Sequence, residues 1–228
     1  MPDEHIVDTL RRSLAYEYPY RELTELPAKV TVTKIAKAKQ ENRITDLPEL
    51  SLNESGTLTG AQRGTILHSF MQYADFASAK TDLGAEINRL MEQGFLTEEE
   101  AAVLNRKKIQ AFLESSLLHR MLHARRFYRE YQFIYEIPAA EVNAEISAPF
   151  RKEKVLMQGI ADSVFEEEDG LVIVDYKTDR LVYEEDFVER YGDQLRIYRE
   201  ALGQYFDCPV KECLIYSLFL SKEIHVDD

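Results

Sequence analysis

Two strand-like segments joined by an acidic turn constrain this 228-residue chain more than any other feature. Residues 157–165 and 171–178 are rich in apolar and β-branched side chains, and Glu-Glu-Glu-Asp-Gly separates them at residues 166–170. An Asp-Gly pair between two such runs predicts a hairpin turn. Residues 171–174 read Leu-Val-Ile-Val and are therefore apolar on both faces, as in a strand that is covered on both sides. The pattern predicts an antiparallel hairpin inside a buried sheet.

The length of the loop decides which charged side chains share a face of this hairpin. A two-residue turn at residues 169–170 places Asp162 opposite Lys177, with Asp175 on a diagonal of the same face. A four-residue loop places Asp162 directly opposite Asp175. Either even-length loop gathers all three residues on one face, whereas a three-residue loop would put Asp162 on the other face.

Charged residues at the end of a buried strand need a physical reason, because an unpaired carboxylate there is costly. Two nearby carboxylates also repel each other unless a cation lies between them. One interpretation is that Lys177 neutralises a carboxylate as a structural ion pair. The other is that Asp162 and Asp175 hold a divalent metal, with Lys177 directed at the group that the metal activates. Ligation by oxygen atoms favours Mg²⁺ or Mn²⁺ over zinc.

Four motifs follow one another in a recognisable order. They are Gly-Thr-Ile-Leu-His at residues 64–68, Gly-Ile-Ala-Asp at 159–162, Asp-Tyr-Lys-Thr at 175–178 and Gln-Leu-Arg-Ile-Tyr at 194–198. Together they resemble the RecB-type branch of the PD-(D/E)XK nucleases over residues 60 to 220. The resemblance implies an α/β, restriction-endonuclease-like core with a mixed central sheet flanked by helices. It also implies that residues 61–228 form the nuclease domain, after a helical and linker segment at residues 1–60.

The resemblance assigns roles that the residue pattern alone leaves open. A lone histidine such as His68 on a helix is more simply a packed or surface residue, but in the resembled family this histidine joins the metal shell. The main-chain carbonyl of Tyr176 would complete the protein ligands of Mg²⁺, for which Mn²⁺ can substitute. Gln194 and Tyr198 share a helix face and would support the site and the DNA. Glu130 is a further acidic candidate, although a surface or supporting carboxylate is the simpler interpretation.

The implied activity is that of a Mg²⁺-dependent deoxyribonuclease, an exonuclease domain of a bacterial helicase–nuclease that cuts 3′-terminated strands at double-strand breaks. Its implied partners are DNA, helicase domains of the same polypeptide and a second subunit. Three alternatives remain: a DNA-end-binding module without catalysis, a stand-alone RecB-like exonuclease, and a structural domain whose charged hairpin contacts another subunit. The intact set of Asp162, Asp175 and Lys177 argues against the first.

The net charge of −13 argues against a protein that grips nucleic acid with its whole surface. Two stretches nevertheless contain several cations and no acid, residues 29–40 and 119–129. Each is interpreted either as a solvated helix face or as a local phosphate contact. The candidate DNA contacts are Lys34, Arg63, Arg125 and Arg126.

Other features exclude several classes. Two cysteines, Cys208 and Cys213, cannot ligate a four-cysteine iron–sulfur cluster by themselves and suggest two buried thiols without a disulfide. A phosphate-binding Gly-x-x-x-x-Gly-Lys loop is absent, so no ATP site of that kind is expected in this chain. No segment approaches the roughly 18 apolar residues of a membrane span, and no signal peptide is evident. We expect a cytoplasmic protein without membrane contact.

Periodicity and capping signals also predict the order of elements. Helices are expected at residues 5–16, 34–40 (capped by Thr33), 61–77, 82–93, 98–123 and 184–204, a loop at 41–60, and further strands at 127–137 and 212–220.

Overall fold

The computed structural model describes residues 4–16, 18–41 and 60–227. Its helices are α1 (Glu4–Leu14), α2 (Arg21–Thr24), α3 (Val32–Glu41), α4 (Gly60–Tyr73), α5 (Phe76–Thr81), α6 (Leu83–Glu92), α7 (Glu98–Val103), α8 (Arg106–Leu113), α9 (Ser116–His123), α10 (Ala139–Val142) and α11 (Glu184–Phe206), with a 3₁₀ turn at Ala148–Phe150. Its strands are β1 (Lys29–Thr31), β2 (Arg126–Pro138), β3 (Lys154–Glu167), β4 (Gly170–Lys177), β5 (Val210–Ser217) and β6 (Lys222–His225).

The strands form one mixed sheet in the order β1-β3-β4-β5-β6, and β2 also pairs with β3. Strands β3 and β4 are antiparallel, β4 and β5 are parallel, and β5 and β6 are antiparallel. The parallel pair needs a crossover connection, which α11 provides. This arrangement confirms the predicted α/β class with a mixed sheet flanked by helices.

Strand β4 is covered on both faces, as its apolar run predicts. Val172, Val174 and Tyr176 join a core with α4, α8 and α9. Helix α11 packs on the sheet from β4 to β6, and its Leu195 and Leu202 are fully buried. The charged end of β4 is therefore held between two helical layers.

The turn of the hairpin is two residues long, but it lies one residue earlier than Asp-Gly pairing predicts. Glu167 pairs with Gly170, so Glu168 and Asp169 form the turn. A Cβ on Gly170 would lie 2.6 Å from the Pro209 carbonyl oxygen, so this glycine accommodates close packing within the sheet. Ser163 pairs with Val174, and extending this register by one residue places Asp162 opposite Asp175. That is the register expected from the four-residue loop.

Helix boundaries differ from the predictions wherever a cap was overlooked. The single helix expected at residues 98–123 is wrong, because Asn105 and Ser115 accept hydrogen bonds from Lys108 N and Leu118 N and begin new helices. The helix expected at 61–77 is likewise divided, since Asp75 caps α5. The predicted cap at Thr33 is wrong as well. Helix α3 begins at Val32, and Thr31 Oγ1 accepts from Lys34 N at 3.3 Å.

The sequence pattern did not predict the two shortest strands. Strand β1 has three residues and β6 has four, too few to show alternation. Most of the loop predicted at 41–60 lies outside the described residues. Cys213 is buried and Cys208 only partly so, and the described structure contains no disulfide. No described helix is both long enough and apolar enough to cross a membrane.

Two compact units emerge from the contacts within the chain. One comprises Met1–Val30 and Tyr135–Met157, and the other Thr31–Ile134 and Gln158–Asp228. In the first unit, Glu22 accepts a hydrogen bond from Ser147 N at 2.9 Å, and the rings of Tyr20 and Phe150 lie 6.0 Å apart. The second unit contains every site residue described below. The division at residue 60 stays a prediction.

Candidate active site

Asp162, Asp175 and Lys177 meet at one end of the β3–β4 hairpin. Asp175 is 1% exposed, whereas Asp162 and Lys177 are partly buried. The main-chain N–H of Tyr176 donates to Asp162 Oδ2 at 2.7 Å and fixes that carboxylate across the strands. The Tyr176 ring lies in the core, where its hydroxyl is 2.9 Å from Ser163 Oγ. Alternation along β4 thus separates an apolar core position from the charged positions beside it.

Asp175 has two different partners. Its Oδ1 accepts a hydrogen bond from Gln194 Nε2 at 3.1 Å, and Lys177 Nζ lies 2.5 Å from its Oδ2. Apart from this ammonium, Asp175 Oδ2 has no partner among the described residues. A buried carboxylate oxygen with this incomplete environment is chemically suited to ligate a cation.

Helix α11 contributes a short hydrogen-bond chain behind the carboxylates. Gln194 Nε2 donates to Tyr198 Oη at 2.9 Å, and the Tyr198 hydroxyl donates to the Ile160 carbonyl at 2.7 Å. The i, i+4 spacing predicted that Gln194 and Tyr198 share a face, and the structure places both against the site. The chain connects α11 to both strands and fixes the orientation of Asp175.

His68 and Glu130 approach the same place from α4 and β2. His68 Nδ1 lies 3.5 Å from Asp162 Oδ1 and 3.7 Å from Glu130 Oε1. Potential ligand atoms of these three residues all lie within 4.8 Å of one another. Glu130 has φ = 48°, a left-handed conformation unfavourable for a residue with a side chain. We interpret it as a bulge in β2 that helps direct the Glu130 carboxylate to the site. Glutamate gives no sequence signal for such a bulge.

The two motif glycines have different structural roles. A Cβ on Gly159 would lie 2.3 Å from the Phe133 ring and 2.8 Å from Val32 Cγ2, so only glycine permits this packing. Phe133 in turn packs edge-to-face on Tyr198, with ring centroids 5.5 Å apart. A Cβ on Gly64 would meet only Thr178 Oγ1 at 3.6 Å, an ordinary contact. Contact with the sheet therefore does not explain Gly64.

Burial and the mutual repulsion of the carboxylates together shift the pKa values of the cluster. Burial, followed by the charge of Asp175, raises the pKa of Asp162 to about 7. Burial opposes ionisation of His68, but Glu130 and Asp162 outweigh it and raise the His68 pKa. The charges of Asp175 and Asp162 likewise raise the pKa of Lys177 against the effect of burial. Carboxylates crowded in this way favour a bound cation, and their oxygen atoms suit Mg²⁺ or Mn²⁺.

The predicted basic surface is only partly available. Arg120 is occupied by Glu167 and Glu212, and Arg129 donates to the carbonyls of Met71 and Gln72 at the end of α4. These two arginines therefore stabilise the fold, contrary to a phosphate-binding role for the whole stretch. The candidate DNA contacts do not join the carboxylate cluster; they are Lys34, Arg63, Arg125 and Arg126. Lys34 and Arg63 are exposed on α3 and α4, and Arg125 is exposed before β2. Arg126 is 64% exposed beside Glu166.

Comparison with known proteins agrees with this architecture. Residues 39–219 match the PD-(D/E)XK nuclease superfamily. Two similar relatives are ATP-dependent helicase/nuclease subunits. The one from Clostridium botulinum strain 657 is 34% identical over 96% of this chain, and the one from Clostridium perfringens is 33% identical over 95%. The chain spans 18% and 19% of their lengths.

A solved structure, that of SSO0001, aligns with 86% of this chain and 76% of its own at 12% identity, with a TM-score of 0.34, too low to support an argument. The match over residues 39–219 includes all four motifs and every strand from β2 to β5. The chain therefore belongs to the PD-(D/E)XK nuclease superfamily, with similarity over nearly its whole length to part of the ATP-dependent helicase/nuclease proteins.

Proposed function

We propose that this chain is a Mg²⁺-dependent nuclease domain that hydrolyses phosphodiester bonds in DNA. The observation that carries the proposal is the convergence of Asp162, Asp175 and Lys177 at one end of the hairpin, with Gln194 fixed behind them. A structural ion pair alone would need one carboxylate and one lysine. Here a second carboxylate, a histidine and Glu130 face the same point, which favours a metal site.

Asp162 and Asp175 would be the main ligands, with His68 and the main-chain carbonyl of Tyr176 as further ligands. Glu130 joins this set because of its position beside His68 and Asp162. When bound, the ion would lower the pKa of a water molecule and offset charge on the phosphate. The residues themselves hold the negative charges that the cation requires, and Mg²⁺ commonly keeps several waters beside so few protein ligands.

Lys177 is assigned to the reacting phosphate. Its ammonium lies over the Tyr191 ring, with 4.6 Å between Nζ and the ring centroid, and only 16% of its side chain is exposed. A cation held in such a site stabilises negative charge that develops in the transition state. Gln194 and Tyr198 orient Asp175 and the backbone of β3, so we assign them supporting roles.

The setting of the domain is proposed from its relatives. Their names describe an ATP-dependent helicase/nuclease, and the resemblance identifies the matching protein as AddA of the AddAB enzymes. On that basis the chain would act as an exonuclease on the 3′-terminated strand at double-strand breaks in the cytoplasm. Helicase domains of the same polypeptide would supply the strand, and an AddB-like protein would be the partner.

Cleavage by the chain itself tests the central proposal. A single-stranded oligodeoxynucleotide labelled at one end should be degraded with Mg²⁺ or Mn²⁺ and remain intact with EDTA. Asp175→Asn, which preserves shape but removes a ligand charge, should abolish cleavage. Circular single-stranded DNA distinguishes an exonuclease from an endonuclease. Metal-independent binding of DNA ends without any cleavage would instead support the non-catalytic DNA-end-binding module.

A further inference from the structure

Four aromatic rings form a cluster between the end of α11 and the part of β2 that contains Glu130. Tyr128 and Tyr131 come from β2, and Tyr205 and Phe206 come from the end of α11. The ring centroids of Tyr128 and Tyr131 are 5.3 Å apart, and those of Tyr131 and Tyr205 are 5.9 Å apart. Phe206 lies 5.2 Å from Tyr131 and 5.3 Å from Tyr205. We refer to these four residues as the aromatic cluster.

The bulge at Glu130 brings the two β2 tyrosines together. In a regular strand, residues three positions apart point to opposite faces of the sheet. Tyr128 and Tyr131 nevertheless both contact Phe206, and the left-handed conformation of Glu130 between them accounts for the break in alternation. The same bulge places the Glu130 carboxylate beside His68. One backbone feature therefore organises both the acidic site and the adjoining aromatic surface.

The cluster offers uncharged, flat surface to the solvent. Tyr205 is 65% exposed although it contacts two other rings. Burial and a hydrogen bond with Tyr205 raise the pKa of Tyr131 to about 12, so its hydroxyl stays protonated at neutral pH. A chain with net charge −13 cannot hold a polyanion by charge over its whole surface. Stacking of bases on aromatic rings supplies affinity without a requirement for positive charge or a particular sequence.

We propose that the aromatic cluster is a base-stacking subsite for the single-stranded nucleic acid that passes through the candidate active site. The ligand class rests on the proposed nuclease function, whereas the subsite rests on the exposed ring of Tyr205, its three partly buried neighbours and the position of Tyr128 and Tyr131 on either side of Glu130. Along α11 the cluster begins about 10 Å from Tyr198, which follows from a rise of about 1.5 Å per residue. It would thus hold nucleotides next to the scissile bond rather than at it.

Binding of two matched probes by the 228-residue chain tests the subsite. One probe is a fluorescein-labelled single-stranded oligodeoxynucleotide, and the other has the same length and phosphates but abasic nucleotides. Fluorescence anisotropy in EDTA measures affinity without cleavage. Tyr205→Ala should weaken binding of the normal probe by about 10-fold, as expected for loss of one stacked base. Tyr205→Phe keeps the ring and should bind like wild type.

The abasic probe separates stacking from other causes. Wild type and Tyr205→Ala should bind it equally, and the substitution should leave the salt dependence of affinity unchanged because no phosphate contact is lost. Tyr73→Ala is the matched control, since Tyr73 is an exposed ring that stacks on Phe95, with centroids 4.1 Å apart, and not on a ring of the cluster. It should leave binding of both probes unchanged.

An equal loss on both probes, or no loss on either, would overturn the proposal, and the second result would point to a protein partner for this surface. Because the assay needs no cleavage, its result is independent of catalysis. Cleavage by wild type together with insensitivity to Tyr205→Ala would refute only the subsite. Base-dependent binding without cleavage in Mg²⁺ would refute only the nuclease function.

Discussion

Asp162→Asn is expected to stabilise the metal-free protein above neutral pH while it abolishes nuclease activity. The Asp162 carboxyl lies opposite Asp175 and is mostly buried, and the two effects raise its pKa from 3.8 to about 7. Below about pH 7 its protonated form is therefore the favoured one in the folded state. Asparagine resembles that form, and its side-chain oxygen can still accept the hydrogen bond from Tyr176 N.

The magnitude follows from the shift in pKa. The change from 3.8 to about 7 is about 3 pH units, and each unit corresponds to about 1.36 kcal/mol. A raised pKa means that the folded state binds the proton more tightly, so the stabilisation is complete below pH 3.8 and is lost as pH rises through 7. Asp162→Asn should therefore exceed wild type in free energy of unfolding by up to about 4 kcal/mol above pH 7.

Urea unfolding in EDTA between about pH 4 and pH 8 measures this difference. The gap between variant and wild type should open with rising pH, and Mg²⁺ should narrow it by stabilising only the wild type. Asp227→Asn, at an exposed carboxylate, is the control and should follow wild type at every pH. A variant whose stability follows wild type across this range would refute carboxylate repulsion as the basis of the site.

Three further predictions address the other groups. Lys177→Ala should lose turnover yet retain or tighten Mn²⁺ binding in calorimetry, because Nζ now lies 2.5 Å from Asp175 Oδ2; loss of Mn²⁺ binding would contradict this division of roles. In wild type, protonation of His68 should compete with Mn²⁺, and because the His68 pKa is raised, the affinity should begin to fall above pH 6.5 as the pH is lowered. In His68→Gln, Mn²⁺ affinity should vary less with pH. Identical profiles would exclude His68 as a ligand. Tyr198→Phe should lower the free energy of unfolding by about 1–3 kcal/mol and reduce kcat more than KM, since it leaves the Ile160 carbonyl without its donor; an unchanged kcat would remove Tyr198 from the supporting chain.

The local sequence was sufficient to predict which side chains share a face of a strand or of a helix, because that depends only on periodicity. Alternation placed Asp162, Asp175 and Lys177 on one face, and helical spacing placed Gln194 beside Tyr198. The local sequence left the hairpin register open between loops of different length, and in the structure Gly170 packs against the Pro209 carbonyl from a distant part of the chain. No local pattern contains that contact, and the observed pairing of Glu167 with Gly170 has the register of the four-residue loop. Asn105 and Ser115 were readable caps, and the error there was to extend a periodic pattern across them.

The partners of the cationic residues could not be predicted from the local sequence. The stretch 119–129 contains four arginines and no acid, yet Arg120 finds its partners 47 and 92 residues away. Arg129 lies in β2 and donates to the Met71 carbonyl near the end of α4, 58 residues earlier in the chain. A run of like charges predicts a surface for an anion only if the fold leaves the run unoccupied. Composition could not distinguish Arg126, which remains 64% exposed, from those structural arginines.

Glu130 connects these observations to function. Glycine or asparagine would adopt the backbone conformation of Glu130 more readily, so a glutamate at this position destabilises the strand. The bulge has two consequences. It places a carboxylate beside His68 and Asp162, and it directs two tyrosines of β2 toward Phe206 of α11. Glu130→Gly should therefore relax the strand and keep the aromatic cluster while removing only the carboxylate, so that metal affinity falls and binding of single-stranded DNA in EDTA does not. Loss of both in Glu130→Gly would mean that the side chain, rather than the bulge, holds the aromatic surface in place.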